Sequence, residues 1–195
     1  MPKVSDEHRA ARRDQILDAS MRLLTTKGYR GTSMTDIIRE SGLSAGAIYG
    51  YFASKTEIFQ AVASRVLDIR LTELPSRRGE EPRSPGELMR TIVSSISSLP
   101  LADVIPQVWA EATIDPDVRT MMSGSLGGLR SAIRDEIAAW GAANPDRIEG
   151  EPVDWATRVT PVFLGALPGF IVQRLVFPEF DEEAYLDALP LAYPH

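Results

Sequence analysis

Helix-start and helix-stop signals crowd into the stretch Thr32–Phe59, TSMTDIIRESGLSAGAIYGYFASKTEIF. Ser33 is followed three residues later by Asp36, the pattern of a capping box, in which each residue's side chain accepts a hydrogen bond from the other's backbone. Gly42 ends that helix with a residue tolerant of positive φ. Ser44 can then cap another helix reaching about Phe52. Ser54 and Glu57 form a further capping box, opening a long helix to about Leu74, which at 1.5 Å per residue spans roughly 30 Å. Upstream, Ile16, Ser20, Leu23 and Leu24, with Leu17 beside them, recur at helical spacing over 8–27, and Gly28 closes that helix. So little chain separates each stop from the next start that only short helices joined by tight turns fit here.

Two short helices meeting at such a turn are the plan of a helix-turn-helix, whose second helix lies in the major groove of DNA. Leu43, Ile48 and Phe52 would face inward and pack on Ile16, Leu24, Ile37 and Ile38, each burial contributing roughly 1.5–3 kcal/mol. Ala45, Gly46, Ala47, Tyr49, Gly50 and Tyr51 are left to face outward or to fill gaps. Tyr49, next to Ile48, is expected to be partly buried. At Lys55 the free N–H groups of a helix start, the helix dipole and an ammonium would converge on one anion. Lys3, Arg9, Arg12 and Arg13 precede or open the first helix. They fit either a solvated, frayed terminus or an arm reaching phosphates or a minor groove.

Charge is distributed unevenly over the 195 residues. The whole chain carries −6. Residues 1–55 hold nine Lys/Arg against six Asp/Glu, net +3, and residues 56–195 hold twelve against twenty-one, net −9. An acidic body with a mildly basic head suits a protein that offers one end to phosphates. Hydrophobic residues at 44% are enough for a core of the chain's own. Cysteine is absent, which excludes disulfides and thiolate metal sites. Neither a signal pattern at residues 1–11 nor a run of about 18 apolar residues is evident, so the expectation is a soluble cytoplasmic protein with no membrane partner.

The Pro/Gly/charge-rich segment at 75–86, PSRRGEEPRSPG, separates head from body. Downstream, Ser84-Pro85 and Asp115-Pro116 read as helix starts, with proline at the first helical position. Helices are expected over 85–98, 103–113, 116–141, 152–177 and 181–189. The whole chain reads as all-α, with a three-helix head over 1–55 (motif about 33–52) and a helical body over 56–195. Pro161 and Pro168 lie inside the 152–177 segment, and the expectation is a kink or break near 164–169.

The residues now on the page resemble a known family. Gly28-Tyr29, Thr32, Ile37, Gly42, Leu43-Ser44, Gly46, Ile48-Tyr49, Tyr51-Phe52, Ser54-Lys55 and Glu57-Ile58-Phe59 are similar to the N-terminal domain of the tetracycline-repressor (TetR) family of bacterial transcription regulators. The resemblance implies that Ser33 and Thr35 contact a phosphate. It also implies that Tyr49 and Tyr51 contact phosphates or base edges and that Lys55 meets a phosphate. Ser44, Ala45, Gly46, Ala47 and Gly50 complete the expected DNA-facing set. The chain departs from the family's habits at Ala45, where a long polar or basic residue is common, and at Gly50, where a large or polar residue is common. So bare a helix offers few bidentate hydrogen bonds to bases. Ala45 and Ala47 would touch thymine methyls, and DNA shape would supply part of the discrimination.

The same resemblance implies a homodimer on a palindromic double-stranded DNA operator and a cavity for a small-molecule effector of unknown identity. Interface helices are expected at 116–141 and 152–177. Effector-pocket candidates are Met89, Ile92, Val93 and Ile96, then Val108, Trp109, Met121 and Met122, and finally Phe163 and Phe170. Glu111, at helical spacing from Val104 and Val108, would suit a cationic or hydroxylated effector, although an ordinary solvent-edge position fits it too. Ordinary core packing fits the others equally.

The sequence carries no catalytic signature. Its two histidines are His8 and His195, and neither a phosphate loop nor an H-E-x-x-H occurs. The expectation is a non-enzymatic, cofactor-free, ligand-responsive repressor. The rival is a small-molecule or partner-binding helical protein whose head is weak or vestigial.

Overall fold

A computed structural model of the protein describes residues 6–71, 81–99 and 101–193. Among them all regular structure is helical: α1 Asp6–Gly31, α2 Met34–Ser41, α3 Ala45–Tyr49, α4 Lys55–Leu71, α5 Pro85–Ser97, α6 Ile105–Ala112, α7 Pro116–Ala143, α8 Pro152–Val176 and α9 Glu182–Ala192. Single 3₁₀ turns precede α6 at Ala102–Val104 and α8 at Pro145–Arg147. Lys3 and residues 75–80 of the connection lie outside the described residues.

Two compact units divide the chain. The first draws on residues up to Val66 and on Gln107–Ser125; the second takes the intervening stretch and the chain from Leu126 onward.

In the first unit α1, α2 and α3 turn their apolar faces inward. Ile16, Leu17, Leu23, Leu24, Ile37, Ile48 and Phe52 are buried there, and α4 contributes Ile58, Phe59 and Val62. Leu43 and Ile38 are only half-buried. α1 does not stop at Gly28 as expected. It breaks there, with φ 70° and ψ −179°, and resumes for one short stretch to Gly31. Thr32, buried just beyond, donates its hydroxyl to the Gly28 carbonyl at 2.8 Å and so satisfies a backbone acceptor that the break frees.

The second unit has its own core. Leu88, Met89, Ile92, Val93 and Ile96 of α5 meet Ile133, Ile137 and Trp140 of α7, with Trp155, Phe163, Phe170 and Ile171 of α8 and Leu189 of α9. The Ser84–Glu87 capping box starts α5: Ser84 accepts from the Glu87 amide at 3.3 Å, and Glu87 accepts from the Ser84 amide at 2.9 Å. α5 packs chiefly on α9. A Cβ on Gly86 would stand 2.5 Å from Pro190 Cα, so only glycine fits there.

The expected break in the 152–177 helix is absent: α8 runs uninterrupted through Pro161 and Pro168. Each proline removes one N–H from the ladder. Apolar neighbours hold the helix nonetheless, since Trp155, Ala156, Phe163, Phe170 and Ile171 are buried on one side of it. The helix is also long and apolar enough, by length and composition, to cross a bilayer. Pro, Gly and Thr interleave its apolar residues, so an unbroken apolar run is absent as expected, while the mean hydropathy over 18 residues reaches 1.5.

Candidate nucleic-acid interface

α2 begins with the expected capping box: the Ser33 hydroxyl accepts from the Asp36 amide at 3.1 Å, and the Asp36 carboxylate accepts from the Ser33 amide at 3.1 Å. Gly42 closes α2 at φ 69°, ψ 12°, a left-handed conformation that an L side chain adopts at a cost. Ser44 then caps α3, its hydroxyl accepting from the Ala47 amide at 3.2 Å. α3 is shorter than expected, ending at Tyr49. Bonds from the Tyr51 and Phe52 amides to the Ile48 carbonyl, at 2.9 and 3.0 Å, carry the chain around to bury Phe52.

The result separates two faces of α3. Ile48 is fully buried, whereas Ser44, Ala45, Gly46 and Gly50 are exposed, as is Tyr49 at 53%. Tyr49 is therefore more open than its place beside Ile48 suggested, because the short α3 turns it away from the three-helix core. Ala47 and Tyr51 are half-buried. A Cβ on Gly46 would meet nothing within 4 Å; Gly50 sits at φ −72°, a conformation open to any residue, and a Cβ there would come within 3.3 Å of the Ala47 carbonyl oxygen. The bareness of α3 is thus not imposed by packing at Gly46 or by backbone geometry at Gly50.

Ser33 and Thr35 are exposed at the start of α2. Around Ser33 lies a cluster only partly visible in the sequence. Asp36 Oδ1 accepts from Lys27 Nζ and Arg39 Nη2, each at 2.7 Å, and Asp36 Oδ2 accepts from the Ser33 hydroxyl at 2.6 Å. The Lys27 and Ser33 hydrogen bonds hold the Asp36 carboxyl well below the usual carboxylate range. The capping box foretold the Ser33 contact. Lys27 arrives from α1 and left no local signal.

Lys55 is half-buried and faces inward in part. Its Nζ donates to the Tyr29 carbonyl at 3.1 Å and lies 4.4 Å from the centroid of the Tyr29 ring, which itself packs on Phe59 at 4.7 Å. Burial pushes the Lys55 ammonium down, while Glu111 and Asp115 nearby pull it up. The box that starts α4 is displaced by one residue. Ser54 Oγ accepts from the Glu57 amide at 3.2 Å, but the Glu57 carboxylate reaches the Ala53 amide. Of the N-terminal arginines, Arg12 donates to Gln15 at 2.8 Å and Arg13 lies over the Phe52 ring at 5.5 Å.

The pocket candidates separate. Met89, Ile92, Val93, Ile96, Phe163 and Phe170 come together in the core of the second unit. Val108, Trp109, Glu111, Met121 and Met122 belong to the first. Glu111 binds Arg30 at 2.5 Å, which gives its carboxylate a cation from this chain. Among the described residues no group of three His, Asp or Glu side chains is placed to hold a metal ion.

Fold and interface together define a helix-turn-helix protein with a helical body. Residues 16–62 match the family model described as bacterial regulatory proteins, tetR family. It is 40% identical over 73 residues to the HTH-type transcriptional regulator YfiR of Bacillus subtilis, covering 37% of this chain and 36% of YfiR. The chain thus spans about a third of that relative's length. It is 26% identical over 143 residues to the HTH-type transcriptional regulator BetI of Burkholderia lata, covering 71% and 73% of the two chains. The fold is similar to that of the transcriptional regulator FadR from Bacillus subtilis, solved in complex with stearoyl-CoA. The TM-score is 0.68 at 18% identity, over 90% of this chain and 96% of that one.

Proposed function

We propose that this chain is a homodimeric, DNA-binding transcriptional regulator, a ligand-responsive repressor of the cytoplasm. DNA binding resides in residues 1–55, and effector binding and dimerisation in residues 56–195. The observation that carries the reading is the division of α3, with Ile48 buried and Ala45, Gly46 and Tyr49 turned out. A buried anchor beside an exposed short helix is what entry into a major groove requires. Thr35, Ser44, Ala47, Gly50, Tyr51 and Lys55 complete the contact surface in this reading, and Ser33 adjoins it with its hydroxyl given to Asp36. Thr35 and Tyr51 position the head on phosphates, and Ala45 and Ala47 face thymine methyls.

Dimerisation is assigned to α8. Val162, Val172 and Val176 are 59%, 42% and 60% exposed. With Gly165 and Gly169 they recur in steps of three and four, one apolar stripe of small residues along a helix. Two copies related by a two-fold axis present two heads to the half-sites of a palindromic double-stranded operator.

The effector site is assigned to the second unit, around Met89, Ile92, Val93, Ile96, Phe163 and Phe170, a lining suited to an apolar small molecule. FadR, of similar fold, holds stearoyl-CoA. An effector that releases DNA must prefer the DNA-incompetent state, and the coupling must be reciprocal.

A second reading has its own support in the bareness of Ala45, Gly46 and Gly50: a small-molecule or partner-binding protein with a weak head. Fluorescence anisotropy with DNA from upstream of the chain's own gene separates the two. A saturable complex competed poorly by random DNA is expected. Absence of any complex at low ionic strength would leave the second reading standing.

A further inference from the structure

Several cations of the first unit are paired with carboxylates of the same unit. Arg22 pairs with Glu40 at 2.8 Å, Arg30 with Glu111 at 2.5 Å and Arg65 with Asp18 at 2.6 Å. Asp36 is the most heavily engaged carboxylate among these pairs. Its two oxygens accept four hydrogen bonds: from the Ser33 amide, the Ser33 hydroxyl, the Lys27 ammonium and the Arg39 guanidinium. Amide, hydroxyl, ammonium and guanidinium at the start of a helix are the donors a DNA phosphate takes from a protein. A serine hydroxyl has a single proton to donate, and here it is already given to Asp36.

We infer that Asp36 stands in for a backbone phosphate and withholds Lys27, Arg39 and the Ser33 hydroxyl from DNA, so that the head binds duplex with fewer phosphate contacts than its cations allow. The inference rests on the DNA-binding reading above. Its consequence is selectivity. Phosphate contacts supply nearly all sequence-independent affinity, and each adds about 0.9 to the slope of log K against log salt. A carboxylate that holds two cations lowers that term for every sequence alike. What remains for discrimination is the fit of α3 to its site, and the ratio of specific to non-specific binding rises. A head with so few base-reading side chains gains more from this than one rich in bidentate contacts, because its specific term is small to begin with.

The test measures anisotropy of a labelled 30-base-pair duplex of random sequence across a potassium chloride series, with circular dichroism to check folding. Asp36→Asn keeps a side-chain oxygen for the Ser33 amide but loses the charge that holds the cations. Its affinity for random duplex should rise about tenfold or more at low salt, and its slope should steepen by up to about two. The double variant Lys27→Ala/Arg39→Ala, in the otherwise natural chain, should leave the slope nearly unchanged because those cations are already spoken for. An unchanged Asp36→Asn slope overturns the inference. So does a double variant whose slope falls by about two, which would show both cations on phosphates already. If Asp36→Asn fails to fold, the double variant decides alone. Failure of the natural chain to bind any duplex at low salt would instead sink the DNA-binding reading itself, a distinguishable result.

Discussion

Gln107 Oε1 accepts the backbone N–H of Tyr29 at 3.2 Å, across 78 residues of chain. The same oxygen would lie 2.2 Å from a Cβ on Gly28. The break in α1 leaves the Tyr29 amide without a helical acceptor, and a side chain from α6 supplies one. Four residues on, Glu111 takes Arg30. The corner that leads into α2 is thus held by α6.

Gly28→Ala should destabilise the protein by about 1–3 kcal/mol, because φ 70° with ψ −179° is a region open essentially to glycine alone. The displaced Gln107 amide is the end of a flexible side chain and can move aside at small cost. Gln107→Leu should cost about 1 kcal/mol through the lost hydrogen bond, and Gln107→Glu, which keeps an acceptor, should recover most of it. Urea unfolding gives the energies. Hydrogen exchange of the Tyr29 amide should speed up in the leucine variant and not in the glutamate one.

Ile48→Ala and Tyr49→Ala, at adjacent positions, should have opposite effects. Ile48 is fully buried, and its truncation should cost about 2–5 kcal/mol in thermal or urea unfolding. Tyr49 is 53% exposed, so Tyr49→Ala should stay within about 0.5 kcal/mol of the natural chain. Its loss should fall on DNA affinity. A Tyr49→Ala protein of normal stability with undiminished operator binding would remove Tyr49 from the interface.

Two capping carboxylates set an acid limit on stability. The Lys27 and Ser33 contacts depress the Asp36 carboxyl, and the Ser84 hydroxyl and amide depress that of Glu87. Folded-state values below the unfolded ones mean that the unfolded chain binds more protons. Their stabilisation is therefore complete above the ordinary carboxylate value of about 4 and is lost as pH falls below it. Melting temperature should drop between about pH 5 and about pH 3, and Asp36→Asn should flatten that drop. A variant whose acid profile overlays that of the natural chain would contradict the assignment.

Val172→Asp places a charge on the exposed stripe of α8. If that stripe joins two copies, the variant should run as a monomer in light scattering at micromolar concentration, with its helical content intact. Operator affinity should fall by well over tenfold, since two linked heads gain from effective concentration and a single head does not. A dimer of unchanged affinity would place the contact elsewhere.

Much of this fold was legible because its helix ends are written locally. Ser33, Ser44, Ser84 and Asp181 each cap the helix they precede, and Gly42 closes one. The rest depends on partners distant in sequence. Nothing beside Gly28 announces that Gln107 will complete its break, and nothing near Asp36 announces Lys27. Pro161 and Pro168 argued for an interruption that the packing of Phe163, Phe170 and Ile171 overrides. The outward turn of Tyr49 follows from a one-turn difference in the length of α3, finer than spacing rules resolve.

Open space around Gly46 has an evolutionary corollary. Since a Cβ there would meet nothing within 4 Å, single codon changes could start a new base-reading side chain without first repairing the fold. A duplicated copy of this gene could acquire another target in few steps, its scaffold already tolerant of the change.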